Sequence, residues 1–356
     1  MLKIGILTSG GDCQGLNATI RAVAMSLYEK YKGNVQIYGV IDGYKGLINN
    51  NCKLLKKSDF KGLLNLGGTF IGSSRQPFKM MRVIEDDRVD KVKQMKETYK
   101  NREFHCLVIL GGNGTQKTAN LLREEGLNVI HLPKTIDNDI FGTDMTFGFH
   151  SSVEIATNVI DCIHSTADSH SRIFIVEIMG HKVGHLPLQA GIAGGADVIL
   201  LPEIPYDIKK VAQCIKDSKK NGKKYAILAV AEGAISKEES KMTKKELKKS
   251  RSDFLSVGYK LAKELSNEIE GEIKVCVPGH YQRGGSPCAF DRVLCTRLGA
   301  GAGECIKNEI FGVMVGIING EVVPVPLENC AGKLKAVAPE CNEIISAKSI
   351  GVCFGD

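Results

Sequence analysis

The chain has 356 residues, of which 43% are hydrophobic and 24% are charged, and a formal net charge of +7. This length exceeds the size at which one hydrophobic core keeps growing, so two domains are expected. No run approaches eighteen uninterrupted apolar residues, and the chain starts with a strand-like run instead of a leader, which argues against membrane spanning and secretion. The twelve cysteines are scattered without a CxxC pair, as expected of reduced thiols in a cytoplasmic protein.

The excess of positive charge is largely local. Residues 237–263, called the lysine-rich segment below, carry many lysines among glutamates, a pattern that predicts a solvated helical face. Aromatic residues are not interleaved with the basic ones as they are in proteins that bind single-stranded nucleic acid. We therefore expect an anionic small substrate and no nucleic acid partner.

Short β-rich runs alternate with helical patterns along the chain, which predicts an α/β fold with mostly parallel sheets and right-handed crossovers. In such sheets ligands bind beyond the carboxyl ends of the strands. The predicted strands are residues 3–8, 36–41, 106–110, 129–132, 173–178, 198–201, 225–231 and 275–278.

Glycine-rich segments follow two of these strands. Gly10 and Gly11 precede a predicted helix at residues 16–31, and a second helix is predicted to start near Thr115, after Gly111 and Gly112. Backbone amides at such helix starts bind anions well. Neither segment has the spacing of a Walker loop or of G-x-G-x-x-G, and a glycine pair after a strand, taken alone, is more often a structural turn.

Residues 135–139 (TIDND) carry a more specific signal, because two acids, Asp137 and Asp139, directly follow an apolar strand. Phosphoryl transfer to an alcohol needs an acceptor for the hydroxyl proton and an anion that holds Mg²⁺, and this pair supplies both. An isolated segment of this kind is also compatible with an Asx-rich turn that caps a helix.

The segment is not isolated, and the chain resembles the phosphofructokinase family from residue 1 to residue 297, and more loosely thereafter. The resemblance implies two Rossmann-like α/β domains with an active-site cleft between them. Residues 1–148 and about 281–335 are expected to bind the donor, and residues 149–280 and about 336–356 the sugar phosphate. The family's segments are TSGGDCQGLNA (8–18), GGTFIGSSR (67–75), GGNGT (111–115), PKTIDND (133–139), MG (179–180), AEG (231–233) and GHYQRGGSP (279–287).

On the donor side, the resemblance makes Asp137 the base that takes the proton from the attacking sugar hydroxyl. The other residues implied in catalysis are Thr135, Asp139, Arg75 and Lys134. Those implied in ATP binding are Gly10, Gly11, Arg75, Gly112, Asn113, Gly114 and Thr115, and those implied in Mg²⁺ binding are Asn113, Asp137 and Asp139.

On the acceptor side, the resemblance implies fructose 6-phosphate as the sugar. It also implies that Arg172 and Lys274 reach the site of a neighbouring subunit, so a homo-oligomer, dimer or tetramer, is expected. The residues implied in sugar binding are Thr135, Asp137, Arg172, Met179, Gly180, His181, Glu232, Lys274, His280 and Arg283.

Three positions depart from the family pattern: Asn113 and His181 stand where an aspartate and an arginine are usual, and Lys274 replaces an arginine. The function implied is Mg²⁺-dependent 6-phosphofructokinase activity with ATP, which Gly114 favours by leaving room for the α-phosphate. A pyrophosphate-dependent enzyme is the first alternative, because Lys134 is typical of pyrophosphate users. A catalytically weakened regulatory paralogue that binds sugar phosphate is the second. A related NAD or lipid kinase is disfavoured, since it leaves TIDND and GHYQRGG unexplained.

Overall fold

The computed structural model describes residues 1–85 and 88–356. These residues form two compact units, each built from two stretches of chain. The first unit comprises Met1–Ser151 and Arg283–Leu334, and the second comprises Ser152–Gln282 and Lys335–Asp356. In both units helices alternate with strands, which agrees with the predicted α/β class. What each unit binds stays a prediction.

The strands and helices are numbered in chain order. The strands are β1 (Leu2–Ser9), β2 (Val35–Val40), β3 (Cys52–Leu55), β4 (Cys106–Gly111), β5 (Val129–Pro133), β6 (Ile173–Ile178), β7 (Val198–Leu200), β8 (Ala226–Ala231), β9 (Ile273–Cys276), β10 (Val313–Ile318) and β11 (Glu321–Pro326). The helices are α1 (Leu16–Lys30), α2 (Tyr44–Ile48), α3 (Lys91–Asn101), α4 (Asn113–Glu124), α5 (Phe149–Ser169), α6 (His185–Ala193), α7 (Ile208–Lys220), α8 (Lys244–Ser250), α9 (Val257–Leu265), α10 (Ala289–Lys307), α11 (Leu327–Cys330) and α12 (Asn342–Ser349).

The sheet of the first unit has the order β11-β10-β5-β4-β1-β2-β3. Its central strands β2, β1, β4, β5 and β10 are parallel, and the outer strands β3 and β11 pair antiparallel with their neighbours. Separate clusters of buried apolar side chains pack against this sheet, one around Ile4 and Val108 and the other around Leu7 and Leu107. Because side chains of a strand alternate between faces, both faces of the sheet are covered.

Helices α1 and α10 pack closely in the first unit because α10 carries glycine where the two helices meet. A Cβ atom at Gly299 would lie 2.5 Å from Ala22 Cβ and 2.8 Å from the Val23 backbone nitrogen. Gly303, one turn later, faces Ser26 in the same way. Larger side chains here would push the helices apart and disturb the packed core.

The second unit contains a parallel sheet with the order β7-β8-β6-β9. Its core includes Ile173, Leu228 and Leu261. The C-terminal residues extend this sheet, since Ile199 donates its backbone amide to Cys353 and Cys353 donates to Asp197. Strand β9 lies at the other edge, so its outer side is open to a further partner.

The structure corrects three expectations. Strand β9 begins at Ile273 and ends at Cys276, two residues before the predicted span, because its register with β6 pairs Ile273 with Ile173 and Pro278 has no N–H for the ladder. Strands β3, β10 and β11 were not predicted. The predicted solvated helical face is correct for α8, which buries no residue, and wrong for Lys260, which is 7% exposed.

None of the helices within residues 1–85 and 88–356 combines the length and the apolar character that crossing a bilayer requires.

Candidate active site

Three of the glycine-rich and acidic segments lie at one level of the sheet in the first unit. Parallel pairing aligns Ser9 of β1 with Gly111 of β4, and Gly111 with Pro133 of β5. Each of these residues is the last of its strand. The segments that follow therefore leave the sheet side by side at the carboxyl edge, where ligands bind in sheets of this kind.

The segment after β1 is held by residues 72–75. Gly10 donates its amide to the Ser74 carbonyl at 3.1 Å, and the Ser73 hydroxyl donates to the Gly10 carbonyl at 2.7 Å. These bonds hold Gly10, whose φ of 86° lies in the left-handed region, beside the loop that ends in Arg75. Helix α1 starts at Leu16, as predicted, and its N-cap is Gly15, so Gly10 and Gly11 lie in the segment before the helix and not in its first turn.

The segment after β4 is the start of α4. Gly112 is the N-cap, and Asn113, Gly114 and Thr115 form the first turn, two residues earlier than predicted. Amides of a first helical turn have no intrahelical acceptor and so favour an anion. A Cβ atom at Gly114 would meet nothing within 4 Å, which leaves space beside this turn.

Three cationic side chains surround the Gly10–Gly11 segment. The Lys134 ammonium donates to the Gly11 carbonyl, and a Cβ at Gly11 would lie 3.1 Å from Arg283 Nη1 and 3.5 Å from Arg75 Nη2. Burial lowers the pKa of Lys134, and the charge of Arg283 lowers it further, whereas Cys13 and Asp137 raise it. Concentrated positive charge next to open backbone amides fits a polyphosphate.

The two acids after β5 point away from the core because buried residues alternate with them. Ile136 and Ile140 are fully buried and Asn138 is 5% exposed, whereas Asp137 and Asp139 are partly exposed. Asn138 has a φ of 51°, in the left-handed region that Asn tolerates, and its Oδ1 accepts the Thr146 amide at 3.1 Å. This turn fixes both carboxylates at the sheet edge.

Asn113 links the second and third segments. Its Nδ2 donates to the Asp139 carboxylate at 2.8 Å and lies 3.2 Å from the Asp139 carbonyl. Its Oδ1 is buried and has no hydrogen-bond partner within the described residues, which is costly unless a ligand satisfies it. An unpaired amide oxygen next to the Asp139 carboxylate fits a hard divalent cation whose other ligands come from substrate phosphates. Within residues 1–85 and 88–356, no cluster of three or more His, Cys, Asp or Glu side chains offers a complete metal site.

The second unit places another group of predicted residues together at the carboxyl ends of β6 and β8. The Glu232 carboxylate accepts the His181 amide at 2.7 Å and the Gly180 amide at 3.3 Å. His181 has a φ of 51° and an exposed side chain. Met179 donates its amide to Gln282 Oε1 at 3.2 Å. His280 follows β9 and is exposed.

Arg172 and Lys274 are not part of this group. Both side chains bind the Glu272 carboxylate, and Arg172 directly precedes β6, whereas Met179 directly follows it. Seven residues of extended strand separate them by roughly 23 Å. Arg172 and Lys274 thus lie at the amino end of the sheet, away from Glu232 of the same chain.

Arg283 is placed differently from the other sugar-binding candidates. It belongs to the first unit and donates from Nη1 to the Asp12 carbonyl at 3.0 Å. The structure therefore brings it to the donor-binding candidates Gly11 and Arg75 of the first unit, where residues 281–335 were expected, and its role in sugar binding stays a prediction.

Comparison with known proteins identifies the family. A family model described as phosphofructokinase matches residues 3–306. An ATP-dependent 6-phosphofructokinase of Spirochaeta thermophila is 50% identical over 357 residues, which cover 99% of this chain and 97% of the relative. The chain belongs to the phosphofructokinase family. ATP-dependent 6-phosphofructokinase 3 of Bacteroides thetaiotaomicron is 43% identical over 355 residues, 99% of this chain and all of the relative.

Solved phosphofructokinases have the same fold. The Saccharomyces cerevisiae enzyme superposes with a TM-score of 0.80 at 29% identity, over 92% of this chain and 45% of that one. A pyrophosphate-dependent phosphofructokinase of Marinobacter aquaeolei gives 0.80 at 18% identity, over 99% and 92%, which is a likeness of fold alone. The predicted family and fold class are confirmed. Kinases of the phosphofructokinase family work with a divalent metal ion.

Two buried glutamines were missed by sequence reasoning, although both lie inside the phosphofructokinase segments. Gln14 donates from Nε2 to the Gly284 carbonyl at 2.7 Å, which ties the segment after β1 to the residues next to Arg283. Gln282 accepts the Met179 amide and donates to the Gly279 carbonyl at 3.1 Å. The signal was their position between glycines, where an uncharged polar side chain can satisfy exposed backbone groups.

We predict that Gln282→Leu lowers the free energy of unfolding by about 2 kcal/mol or more, since it leaves the Met179 amide and the Gly279 carbonyl without their side-chain partner. Urea unfolding followed by circular dichroism measures this. Gln213→Leu is the matched control, because Gln213 makes its hydrogen bond on the exposed face of α7. Equal unfolding midpoints for both variants would show that Gln282 does not hold the loop.

Proposed function

We propose that the protein transfers the γ-phosphoryl group of ATP to the 1-hydroxyl of fructose 6-phosphate, which gives fructose 1,6-bisphosphate and ADP. The observation that carries this proposal is the alignment of the ends of β1, β4 and β5, which gathers Gly10, Gly11, Asn113 and Asp137 at one edge. The printed names of the relatives support ATP as the donor. The protein is thus a phosphotransferase with an alcohol acceptor.

The first unit binds the donor in this proposal. The Gly11 amide and the amides of the first turn of α4 hold the phosphates beside Gly10, and Lys134, Arg75 and Arg283 balance their charge. The guanidinium groups suit charge that spreads over several oxygens in the transition state. Lys134 and Arg283 are already held in place by their bonds to the Gly11 and Asp12 carbonyls, so little reorganisation of these two groups is needed when the phosphoryl group moves.

Mg²⁺ is the divalent cation proposed, held by Asn113, Asp137 and Asp139 together with donor phosphate oxygens. When bound there, it supplies neutralising charge to those oxygens. Asn113 carries no charge of its own, so the two aspartates provide the anionic ligands. Through its Nδ2, Asn113 also orients the Asp139 carboxylate.

The second unit binds the sugar phosphate in this proposal. Glu232 accepts hydrogen bonds from sugar hydroxyls, and Met179, Gly180, His181 and His280 complete the pocket. Thr135 accepts the Asp137 amide at 3.1 Å and so keeps that carboxylate in its turn. As the 1-hydroxyl oxygen bonds to the γ-phosphorus, the bond from phosphorus to the ADP oxygen breaks and the hydroxyl proton moves to Asp137.

We also propose a cytoplasmic location. The twelve cysteines are free thiols in the described chain, and free thiols at this density are typical of a reducing compartment.

We predict that Asp137→Asn lowers kcat by roughly 10²-fold or more, because the amide cannot accept the hydroxyl proton, while the Kd for fructose 6-phosphate changes little. Coupled assays of ADP release and calorimetry of sugar binding measure the two quantities. Asp161→Asn, on the exposed face of α5, is the control. A nearly unchanged kcat in Asp137→Asn would rule out Asp137 as the base.

We predict faster turnover with Mg·ATP than with Mg·pyrophosphate at equal concentration. Gly114→Asp should lower kcat/KM for ATP by roughly tenfold or more, since a carboxylate next to the α-phosphate repels it. Gly114→Ala is the control, because a methyl group there meets no atom within 4 Å. If the unmodified protein works faster on pyrophosphate, the ATP assignment is wrong.

We propose that the enzyme is a homo-oligomer in which Arg172 and Lys274 bind the 6-phosphate in the site of a second subunit. Their place at the amino end of the second sheet, together with Glu272, supports this. Lysine at position 274 keeps the charge but lacks the planar fork of arginine.

We predict that mixing subunits of Asp137→Asn with subunits of Arg172→Ala restores activity. In a mixed dimer one site carries both defects and the other carries neither, so random mixing should give about a quarter of the unmodified activity. Each variant alone and unmixed is the control, and light scattering after chromatography verifies that the subunits exchange. Verified exchange without recovery would place Arg172 in the site of its own chain or outside any site.

A further inference from the structure

The lysine-rich segment contains a buried ionic cluster that its composition does not reveal. The cluster comprises Glu239, Arg251, Lys260 and Glu264. The side chains of Glu239 and Lys260 are 3% and 9% exposed. Since α8 buries nothing, the buried part of this segment consists mainly of these charges and of α9.

Arg251 and Glu239 form the centre of the cluster. Arg251 donates from Nε to Glu239 Oε1 at 2.8 Å and from Nη2 to Glu239 Oε2 at 3.0 Å, a two-pronged geometry that is among the strongest for such pairs. Lys260 lies 3.3 Å from Glu239 and 2.5 Å from Glu264. Burial would raise the pKa of Glu239, but the hydrogen bonds from Arg251 and from the Ser236 amide outweigh it, and the net shift is downward.

The same two side chains hold the backbone of the loop that follows β8. Arg251 Nη2 also donates to the Ala234 carbonyl at 2.7 Å, and Glu239 Oε2 accepts the Ser236 amide at 3.0 Å. Ala234 is fully buried. Loss of Arg251 would leave this carbonyl without its side-chain donor and Glu239 with Lys260 as its one cationic partner in the described chain, which is a costly arrangement.

This loop begins with Glu232, the residue whose carboxylate accepts the amides of Gly180 and His181. The next residue, Gly233, packs against the His181 carbonyl so closely that a side chain at position 233 would collide with that carbonyl. The loop is therefore fixed at one end by the segment after β6 and at the other by Arg251 and Glu239. One residue, Gly233, lies between Glu232 and Ala234.

We propose that Arg251 is a positioning residue for sugar phosphate binding, which it supports by holding the Ala234 carbonyl and thereby the loop that carries Glu232. The proposal rests on the function proposed above for Glu232. It gives the lysine-rich segment a role in substrate affinity. Arg251 touches neither substrate nor the reacting atoms in this account, so it affects KM for the sugar more than kcat.

The test is isothermal calorimetry of fructose 6-phosphate and, separately, of Mg·ATP on the full-length protein. Arg251→Met should raise the Kd for fructose 6-phosphate roughly tenfold, as expected when about one buried hydrogen bond of the loop is lost. The Kd for Mg·ATP should stay within about twofold, since the cationic groups proposed to bind the donor belong to the first unit. Steady-state kinetics should show the same rise in KM for the sugar with kcat nearly unchanged.

Two control variants separate positioning from general destabilisation. Lys260→Met removes a charge from the same cluster but leaves all three hydrogen bonds of Arg251 to Glu239 and Ala234, so it should lower the melting temperature without changing the Kd for the sugar. Lys245→Met, on exposed α8, should change neither. If Arg251→Met does not fold, Arg251→Lys keeps the charge without the fork and should still raise the Kd for the sugar severalfold.

The outcomes are distinct. An unchanged Kd for fructose 6-phosphate in folded Arg251→Met or Arg251→Lys, or an equal rise in Lys260→Met, overturns this inference and leaves the proposed function intact. Failure of the unmodified protein to bind fructose 6-phosphate overturns the proposed function and the inference together.

Discussion

Parallel pairing of β1, β4 and β5 is the constraint on which the donor half of the candidate site depends. Register places Ser9, Gly111 and Pro133 at one level, and each strand ends there. One more or one fewer residue in any of these strands would turn the next side chain to the opposite face of the sheet. The candidate residues of the first unit therefore follow the strand ends, and the core of buried apolar strands determines where those segments begin.

Charge is distributed over these loops in a way that a nucleotide can exploit. Lys134 is buried and bound to the Gly11 carbonyl, and two guanidinium groups flank the same glycine. Three neighbouring cations repel one another unless an anion is present. A bound anion would lower this repulsion, which other interactions of the chain must otherwise offset. The carboxylates of Asp137 and Asp139 lie in the same segment as Lys134, and the negative charge of Asp137 raises the pKa of that lysine.

The sequence was sufficient for the parts of the structure that local patterns determine. Apolar runs predicted the positions of eight strands, and glycine-rich or acidic segments after them identified the candidate loops. The hairpin of β10 and β11 was missed, although an Asn-Gly pair between β-rich runs is a strong hairpin signal in a sequence. In the structure Asn319 and Gly320 have the positive φ values, 51° and 80°, that such a turn requires. The position of Arg283 and the end-to-end separation of Arg172 from Met179 depend on tertiary packing, which composition and spacing do not specify.

Asn113 shows why a departure from a family pattern need not mean loss of function. A carboxylate at this position would lie against Asp139, and the two like charges would oppose each other unless a cation lay between them. The amide instead donates to Asp139 and leaves only its oxygen unpaired in the described chain. The site is thereby ordered before any metal binds, at the expense of one negative charge. In the proposed metal site, weaker attraction for a free cation and a better-oriented Asp139 are opposite effects of one substitution, and a cation that arrives already bound to ATP would make the second effect the more important.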